Sequence, residues 1–494
     1  MAPTAAAVAP SPHLGSLLRS TSARRRDRPA VAYGDSAITF GDLAARADQL
    51  AASLALEPGD RVALIAPNVP GLVISLFAVW QAGGVAVPLS SRLRRFELER
   101  AFVDAEPSAV VWIGPDPGPE AKALAYGTPT LRSWIALDKL GEIVAETRTR
   151  PGARAEPLGP EIAAILYTSG TTGEPKGVLV SHALGEAQGL QLAERLGSSA
   201  DAACGFVVPI PHAFGLACLF ASIAAGALAV LVDQTTSLQP LLEAMHRHGG
   251  RVLHGTPALF ARLLKTDVEL DLETGFTAGS ACPPEVLAAL DRRGMRILNL
   301  YGMTEIGAAT ACRADDPPEV RHHTAGRAFA GYDLRVRDGE IQVRGPFAAG
   351  YHKRAWTAQE TAGDGWFRTG DLGSLDDEGN LAIAGRGKEV VQVGGFNVFP
   401  AEVENFLLTH PDIVQAVVVG VPHPTMGEAL RAYVVASPGA QLEPGEVIRF
   451  ARAGIAGYKV PYRARVVDEL PVLPSGKPDR RALAHAANEK PAAA

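Results

Sequence analysis

The densest chemistry in the sequence lies in one stretch, Tyr167-Thr168-Ser169-Gly170-Thr171-Thr172-Gly173-Glu174-Pro175-Lys176-Gly177. Glycines let a backbone approach phosphate closely, N–H groups and hydroxyls bond its oxygens, and Lys176 adds a positive charge. A Walker A loop does not fit, because Pro175 stands five residues after Gly170 and Lys176 is followed by Gly177. The plain alternative is a surface turn. Four more chemically dense segments follow in order. Tyr301-Gly302-Met303-Thr304-Glu305 ends a buried apolar run; read alone it is a strand end with an incidental acid, but a hard cation bound to phosphates also wants such a carboxylate. In Trp366-Phe367-Arg368-Thr369-Gly370-Asp371 an acid just past a glycine suits two hydrogen bonds to a ribose diol. Gly385-Arg386-Gly387-Lys388-Glu389 and Leu473-Pro474-Ser475-Gly476-Lys477-Pro478-Asp479 carry cations among glycines, and a solvated charge run is the plain reading of both, retained for Glu389.

Taken together, in this order and over roughly Leu14 to Leu483, these segments resemble the adenylate-forming superfamily of acyl-CoA synthetases, nonribosomal peptide adenylation domains and luciferases, and most of all its stand-alone acyl-CoA ligases. The resemblance implies ATP, Mg²⁺ and coenzyme A, and a role for each matched residue. Thr168, Ser169, Gly170, Thr171, Thr172, Gly173 and Lys176 would cradle phosphates, Tyr301 and Gly302 would adjoin the adenine, and Asp371 would hold the ribose. Arg386 would contact nucleotide and phosphate, Thr304 the α-phosphate, and Glu305 the metal. Lys477 would enter the site during adenylation and stabilise charge developing there, and Lys388 would be the hinge of a mobile small domain. Thr277-Ala278-Gly279-Ser280-Ala281 resembles the stretch lining both adenine and acyl group, so Gly279, Ser280 and Ala281 are assigned to the nucleotide. His212 resembles a residue at the carboxylate entrance, although a buried structural histidine is nearly as good a reading. With Phe214, Gly279, Ile306, Gly307 and Ala308 it would form the acyl pocket. Gly394, Gly395, Phe396 and Asn397 resemble a loop threaded by pantetheine.

Positioning these residues requires alternating strands and helices. A hairpin around Gly34-Asp35, a helix through Leu43, Ala47, Leu50 and Leu54, and a strand–helix–strand unit from Arg61 to Leu89 open the chain. Short buried strands are then expected at 162–167, 206–209, 227–232, 252–254 and 297–300. The pattern points to an α/β fold: a large N-terminal domain (1–386) of layered, largely parallel sheets plus a β subdomain, then a small mobile α+β C-terminal domain (387–494). Residues 1–12 and the tail after Ala484 read as disordered. At 494 residues, more than one core is required. With 47% hydrophobic residues and a net charge of −6, the chain is an ordinary globular one and no nucleic-acid binder. Phe214 to Val232 is uncharged but interrupted by Gly215 and Gly226, hence a buried helix and strand and no transmembrane segment. Cys204, Cys218, Cys282 and Cys312 lack metal-site spacing and suit buried positions in a cytoplasmic protein.

The expected function is ATP-dependent activation of a carboxylic acid as acyl-AMP, with release of pyrophosphate and transfer to coenzyme A. One rival is a ligase that loads a carrier protein; the length of the chain after the last match and the compact Asp371–Lys388 segment lean toward coenzyme A. A non-catalytic nucleotide sensor is the rival from another class, and it would be expected to lack Lys477 or Glu305. No acid follows Phe214 in Gly215-Leu216-Ala217-Cys218-Leu219-Phe220 to pair an amino acid's ammonium group. No Lys or Arg lies in 212–220 or 306–311 to meet a second carboxylate, though Arg313 is near. The expected acid is an apolar monocarboxylate, either aryl or medium-chain fatty.

Overall fold

The computed structural model describes residues 13–488, except 94, 116–117, 149–152, 170–174, 198–201, 233–237, 267–269, 358–359, 363, 394–395, 424–425, 456 and 474–476. The segment 1–12 and the phosphate-loop residues Gly170, Thr171, Thr172 and Gly173 lie outside these, as do Gly394 and Gly395. The side chains of Ser169, Lys388, Phe396 and Asn397 also lie outside them.

The large domain is two sheets with helices between them. One has nine strands and runs from Arg327–Ala328 through Arg296–Met303, Gly250–His254 and Ala203–Phe206 to Ser36–Thr39; the other has eight and is centred on Val85–Ser90 and Arg61–Ala66. Every residue of those two central strands is buried, as expected where helices cover both faces of parallel strands. The helices Leu14–Arg25, Pro70–Gln81, His182–Leu196 and Ala213–Ala225 contribute to one apolar core with both sheets. Phe40, Leu43, Ala47, Leu50 and Leu54 form the buried stripe of a helix whose first turn is capped by Thr39, which accepts from Asp42 N–H at 3.1 Å. A four-stranded antiparallel sheet, Asp333–Arg337, Glu340–Arg344, Phe367–Leu375 and Leu381–Arg386, forms the β subdomain. The chain leaves it at Arg386, makes a 3₁₀ turn at Gly387–Glu389 and enters a smaller five-stranded sheet. The helices Pro400–Leu407 and Pro444–Gly454 pack on that sheet.

Both large sheets are largely parallel, as expected, and hairpins add antiparallel strands at their edges. Several other expectations are corrected. The strand expected at 206–209 is Ala203–Phe206; Pro209 and Pro211 follow too closely for ladder pairing. Phe396–Val398 and Arg463–Val466 are additional strands, the latter parallel to Gly427–Ala436. The end of the chain does not loosen at Ala484. A helix runs from Arg480 to Asn488, held by the buried Leu483 against Val417, Val419 and Tyr433. Phe214 to Val232 divides into the helix Ala213–Ala225, ended by Gly226, and the strand Leu228–Leu231. No described helix is long and apolar enough to cross a membrane.

His182 ties the first helix to the core. Its Nδ1 accepts the Leu14 N–H at 3.2 Å and its ring stacks on His13, so burial, then repulsion by His13, lowers its pKa from 6.5 to about 4. Between those values the unfolded chain binds the extra proton, so stability falls as pH falls through that window. Denaturant melts at about pH 7.5 and pH 5 should differ by roughly 2 kcal/mol from this group, and His182→Gln should flatten the slope. An unchanged slope in the variant would remove His182 as the cause.

Candidate active site

The phosphate-loop segment connects two antiparallel strands, Ile162–Ser169 and Pro175–Ser181, in which Thr168 pairs with Lys176. A hairpin excludes the strand–loop–helix of a Walker A site on topology as well as on spacing. Lys176 leans over the Tyr351 ring, its Nζ 5.0 Å from the centroid and 3.2 Å from Glu360 Oε1. Tyr351 donates its hydroxyl to Glu305 Oε1 at 3.0 Å, and burial, then the Glu305 charge, raises the phenol's pKa. Lys176 and Glu305 therefore flank one aromatic ring.

Tyr301 lies near the end of the strand Arg296–Met303, buried, and its hydroxyl donates to Asp371 Oδ2 at 2.8 Å. Arg386 Nε donates to Asp371 Oδ1 at 3.0 Å from the neighbouring strand. Burial pushes the Asp371 carboxyl above its ordinary pKa, and Arg386 and Tyr301 oppose that without cancelling it. Two residues 70 positions apart thus form one polar unit. Thr304 is half-buried in the turn after the strand, Gly302 is exposed, and Gly279, Ser280 and Ala281 line an open edge.

Lys477 reaches that edge. A Cβ on Gly279, whose φ is +93°, would lie 3.9 Å from Lys477 Cε. Its loop is closed at the base by Leu473 N–H donating to Lys477 C=O at 2.7 Å. Lys477 stays open to water along the cleft while protein crowds its other sides. That crowding, then Arg386, lowers its pKa, and the charges of Asp371, Glu389 and Glu305 pull the other way. Just beyond the loop, Arg480 grips Glu404, with Nη2 to Oε2 at 2.7 Å, and donates to Val418 C=O at 2.8 Å. Glu389, left as a solvated charge by the sequence, stands 3.7 Å from Arg480.

Among the residues expected at the acyl pocket, His212 is half-buried at the N-cap position of the helix Ala213–Ala225, and Phe214 is half-buried in its first turn. Ile306, Gly307 and Ala308 are buried. Gly307 is a glycine for conformational reasons: φ is +66°, and a Cβ would collide with the Gln188 amide. Arg313, the one cation near in sequence, is exposed.

The structure thus gathers Lys176, Glu305, Tyr301, Asp371, Arg386, Gly279 and Lys477. Lys388 is seen only as backbone in the turn Gly387–Glu389. An open cavity of about 850 Å³ flanks this region along the β subdomain at Gly370 and Gly387, lined by Glu340, Arg368 and Trp356. It holds none of Lys477, Glu305 or Tyr301, so the chemistry lies beside it. The sequence missed Tyr351, Glu360 and Arg480, partners identifiable only once distant strands are brought together.

Among the described residues no group of three or more His, Cys, Asp or Glu could cage a metal. Mg²⁺ needs no such cage when phosphates and water supply most of its ligands. Glu305, buried and with only one carboxylate oxygen taken up by Tyr351, fits that donor set.

Fold and site define a two-domain enzyme whose cations and glycine-lined edge suit a nucleotide polyphosphate. Residues 18–351 match the AMP-binding enzyme family and residues 402–477 the AMP-binding enzyme C-terminal domain. The 3-[(3aS,4S,7aS)-7a-methyl-1,5-dioxo-octahydro-1H-inden-4-yl]propanoyl:CoA ligase of Rhodococcus jostii is 33% identical, covering 91% of this chain and 93% of its own. Feruloyl-CoA synthase of an Amycolatopsis species is 31% identical, covering 91% and 94%. ATP-bound MatB from Rhodopseudomonas palustris superposes with a TM-score of 0.81 at 28% identity, covering 96% and 99%. The chain belongs to the AMP-binding enzyme family. Its activity is that of an AMP-forming acyl-CoA ligase: ATP and a carboxylic acid give an acyl-adenylate, and coenzyme A takes the acyl group.

Proposed function

We propose that the ligase acts on a ring-bearing or medium-chain apolar monocarboxylate, with domains 1–386 and 387–494 dividing the two half-reactions. A carboxylate oxygen attacks the α-phosphorus of ATP, and the bond to the β-phosphate oxygen breaks to release pyrophosphate. Lys477 stabilises the charge that builds on the two reacting groups, Thr304 contacts the α-phosphate, and Lys176 with the loop residues holds the leaving phosphates. Asp371, kept in place by Tyr301 and Arg386, takes the ribose. Glu305 would hold Mg²⁺, which when bound screens the phosphate charge. The small domain then turns about Lys388, and the thiol arrives along Gly394–Asn397. Its sulfur bonds the acyl carbon, AMP leaves, and the thiol proton passes to solvent. The observation that carries this reading is Lys477 beside Gly279, close enough to Arg386 and Asp371 for their charges to act on it, with Asp371 held by Tyr301 and Arg386.

The acid class draws support from buried Ala308 and Ala309 and from the lack of any Lys or Arg within 212–220 and 306–311. The two relatives are also named for ring-bearing acids. Coenzyme A, rather than a carrier protein, is the acceptor in both names. Four free, buried cysteines and the reliance on ATP and coenzyme A support a cytoplasmic setting. Pyrophosphate release over a panel of carboxylic acids, with and without coenzyme A, tests the assignment. Preferred turnover of acetate, malonate or a free amino acid would overturn it.

One contact favours the adenylating orientation. Lys265 Nζ, on the large domain, donates to Pro411 C=O (3.0 Å), Ile413 C=O (2.6 Å) and Ser437 Oγ (3.2 Å) of the small domain. A turn of the small domain breaks all three bonds. Lys265→Met should cost this orientation roughly 1–2 kcal/mol, about a five- to thirtyfold population shift. The ratio of acyl-AMP synthesis to thioester formation should fall accordingly, and an unaltered ratio would discount the clasp.

A further inference from the structure

His254 ends the strand Gly250–His254 beside Phe206 of the adjacent strand, with 1% of its surface exposed. Its ring stacks on Phe276 (5.6 Å, 12°) and stands edge-on to Phe206 (5.9 Å) and to Phe214 (6.4 Å). Nδ1 accepts the Phe276 N–H at 3.2 Å. A neutral imidazole that accepts at Nδ1 carries its proton at Nε2, and burial keeps this ring neutral by lowering its pKa to about 3. Nε2–H is therefore a buried donor, and it has no acceptor among the described residues. Native interiors rarely leave such a donor unmatched.

The position of the ring suggests what it serves. The next residue, Gly255, bridges to Thr277, two residues before Gly279, where Lys477 enters. Phe214, against which the ring packs, follows His212 at the start of its helix. The buried Gln188 amide also lies here, where a side chain on Gly307 would project. His254 and Gln188 both border the residues read as the acyl pocket.

We propose that His254 is a specificity residue whose Nε2–H binds an oxygen acceptor on the acid, remote from its carboxylate. The acid is then a ring-bearing monocarboxylate with a keto, ether or phenolic oxygen, rather than a plain hydrocarbon acid. This rests on His212 and Phe214 forming the acyl pocket, as read above. An acid without the oxygen leaves the donor buried and unpaired, so discrimination is set by the enzyme's own desolvated group.

The test is pyrophosphate release from matched acids, 3-(4-oxocyclohexyl)propanoate against 3-cyclohexylpropanoate and 4-hydroxycinnamate against cinnamate. Wild type should favour the oxygenated member of at least one pair by roughly tenfold to a few hundredfold in kcat/KM. His254→Phe, which keeps an aromatic ring among Phe206, Phe214 and Phe276, should bring that ratio near one. Measurable pyrophosphate release from the hydrocarbon acid reports correct folding, and the ratio within each pair is the readout. His254→Gln, which retains a donor, should recover part of the preference. Equal use of both members by wild type, or an unchanged ratio in His254→Phe, overturns the proposal and leaves the acid class standing. No release from any of the four acids overturns the ring-bearing assignment and the proposal with it.

Discussion

Lys477→Ala is expected to lower acyl-AMP formation by at least about a hundredfold, the effect of removing one preorganised charge from a transition state, while thioester formation from supplied acyl-AMP continues. The lysine sits at the cleft edge by Gly279, crowded by protein on most sides, so its charge is less screened than that of a surface lysine. In its proposed role it meets negative charge that develops only while carboxylate and α-phosphate react, and nothing comparable arises there when a thiol attacks the finished adenylate. Pyrophosphate exchange measures the first half and free-thiol consumption the second. Equal losses in both would count against the division of labour.

Lys388→Pro should have the opposite signature. Residue 388 lies in the 3₁₀ turn Gly387–Glu389, between the strand Leu381–Arg386 of one sheet and Val391–Val393 of the next. Proline fixes φ there and resists rotation. In the proposed mechanism Lys477 beside Gly279 marks the adenylating orientation, so acyl-AMP synthesis should stay near wild type. Thioester formation should fall by roughly a hundredfold or more, because an acceptor thiol that cannot be aligned forfeits the advantage of proximity. Survival of thioester formation at the wild-type rate would move the hinge elsewhere or dispense with the turn. The two variants, assayed together, separate a failure of charge from a failure of motion.

Much of this was legible in the linear sequence because it is written locally. The hydroxyl and glycine run before Lys176, the 3.6-residue stripe from Leu43 to Leu54 and the Gly34-Asp35 turn each draw on residues within a few turns of chain. Gly226 likewise ends a buried helix, which is why the uncharged run 214–232 reads correctly without coordinates. The order of the five chemical segments identified the family for the same reason: each is a contiguous stretch shaped by its own strand end or loop.

The rest depends on which strand ends meet. Tyr301 could be read only as a ring for adenine; packing of two sheets turns its hydroxyl toward Asp371. Glu389 looked solvated until Arg480, at the start of a helix the sequence had not marked, came within reach. Gly307 read as room for an acyl chain, yet its φ and the Gln188 amide make it a requirement of the backbone. Nothing in Gly250–His254 marks its last residue as a donor without an acceptor. Sequence spacing encodes hydrogen bonding and apolar periodicity over a few residues. Pairs such as Gly279 and Lys477 are set by how whole sheets and two domains settle against each other, and no local pattern records that.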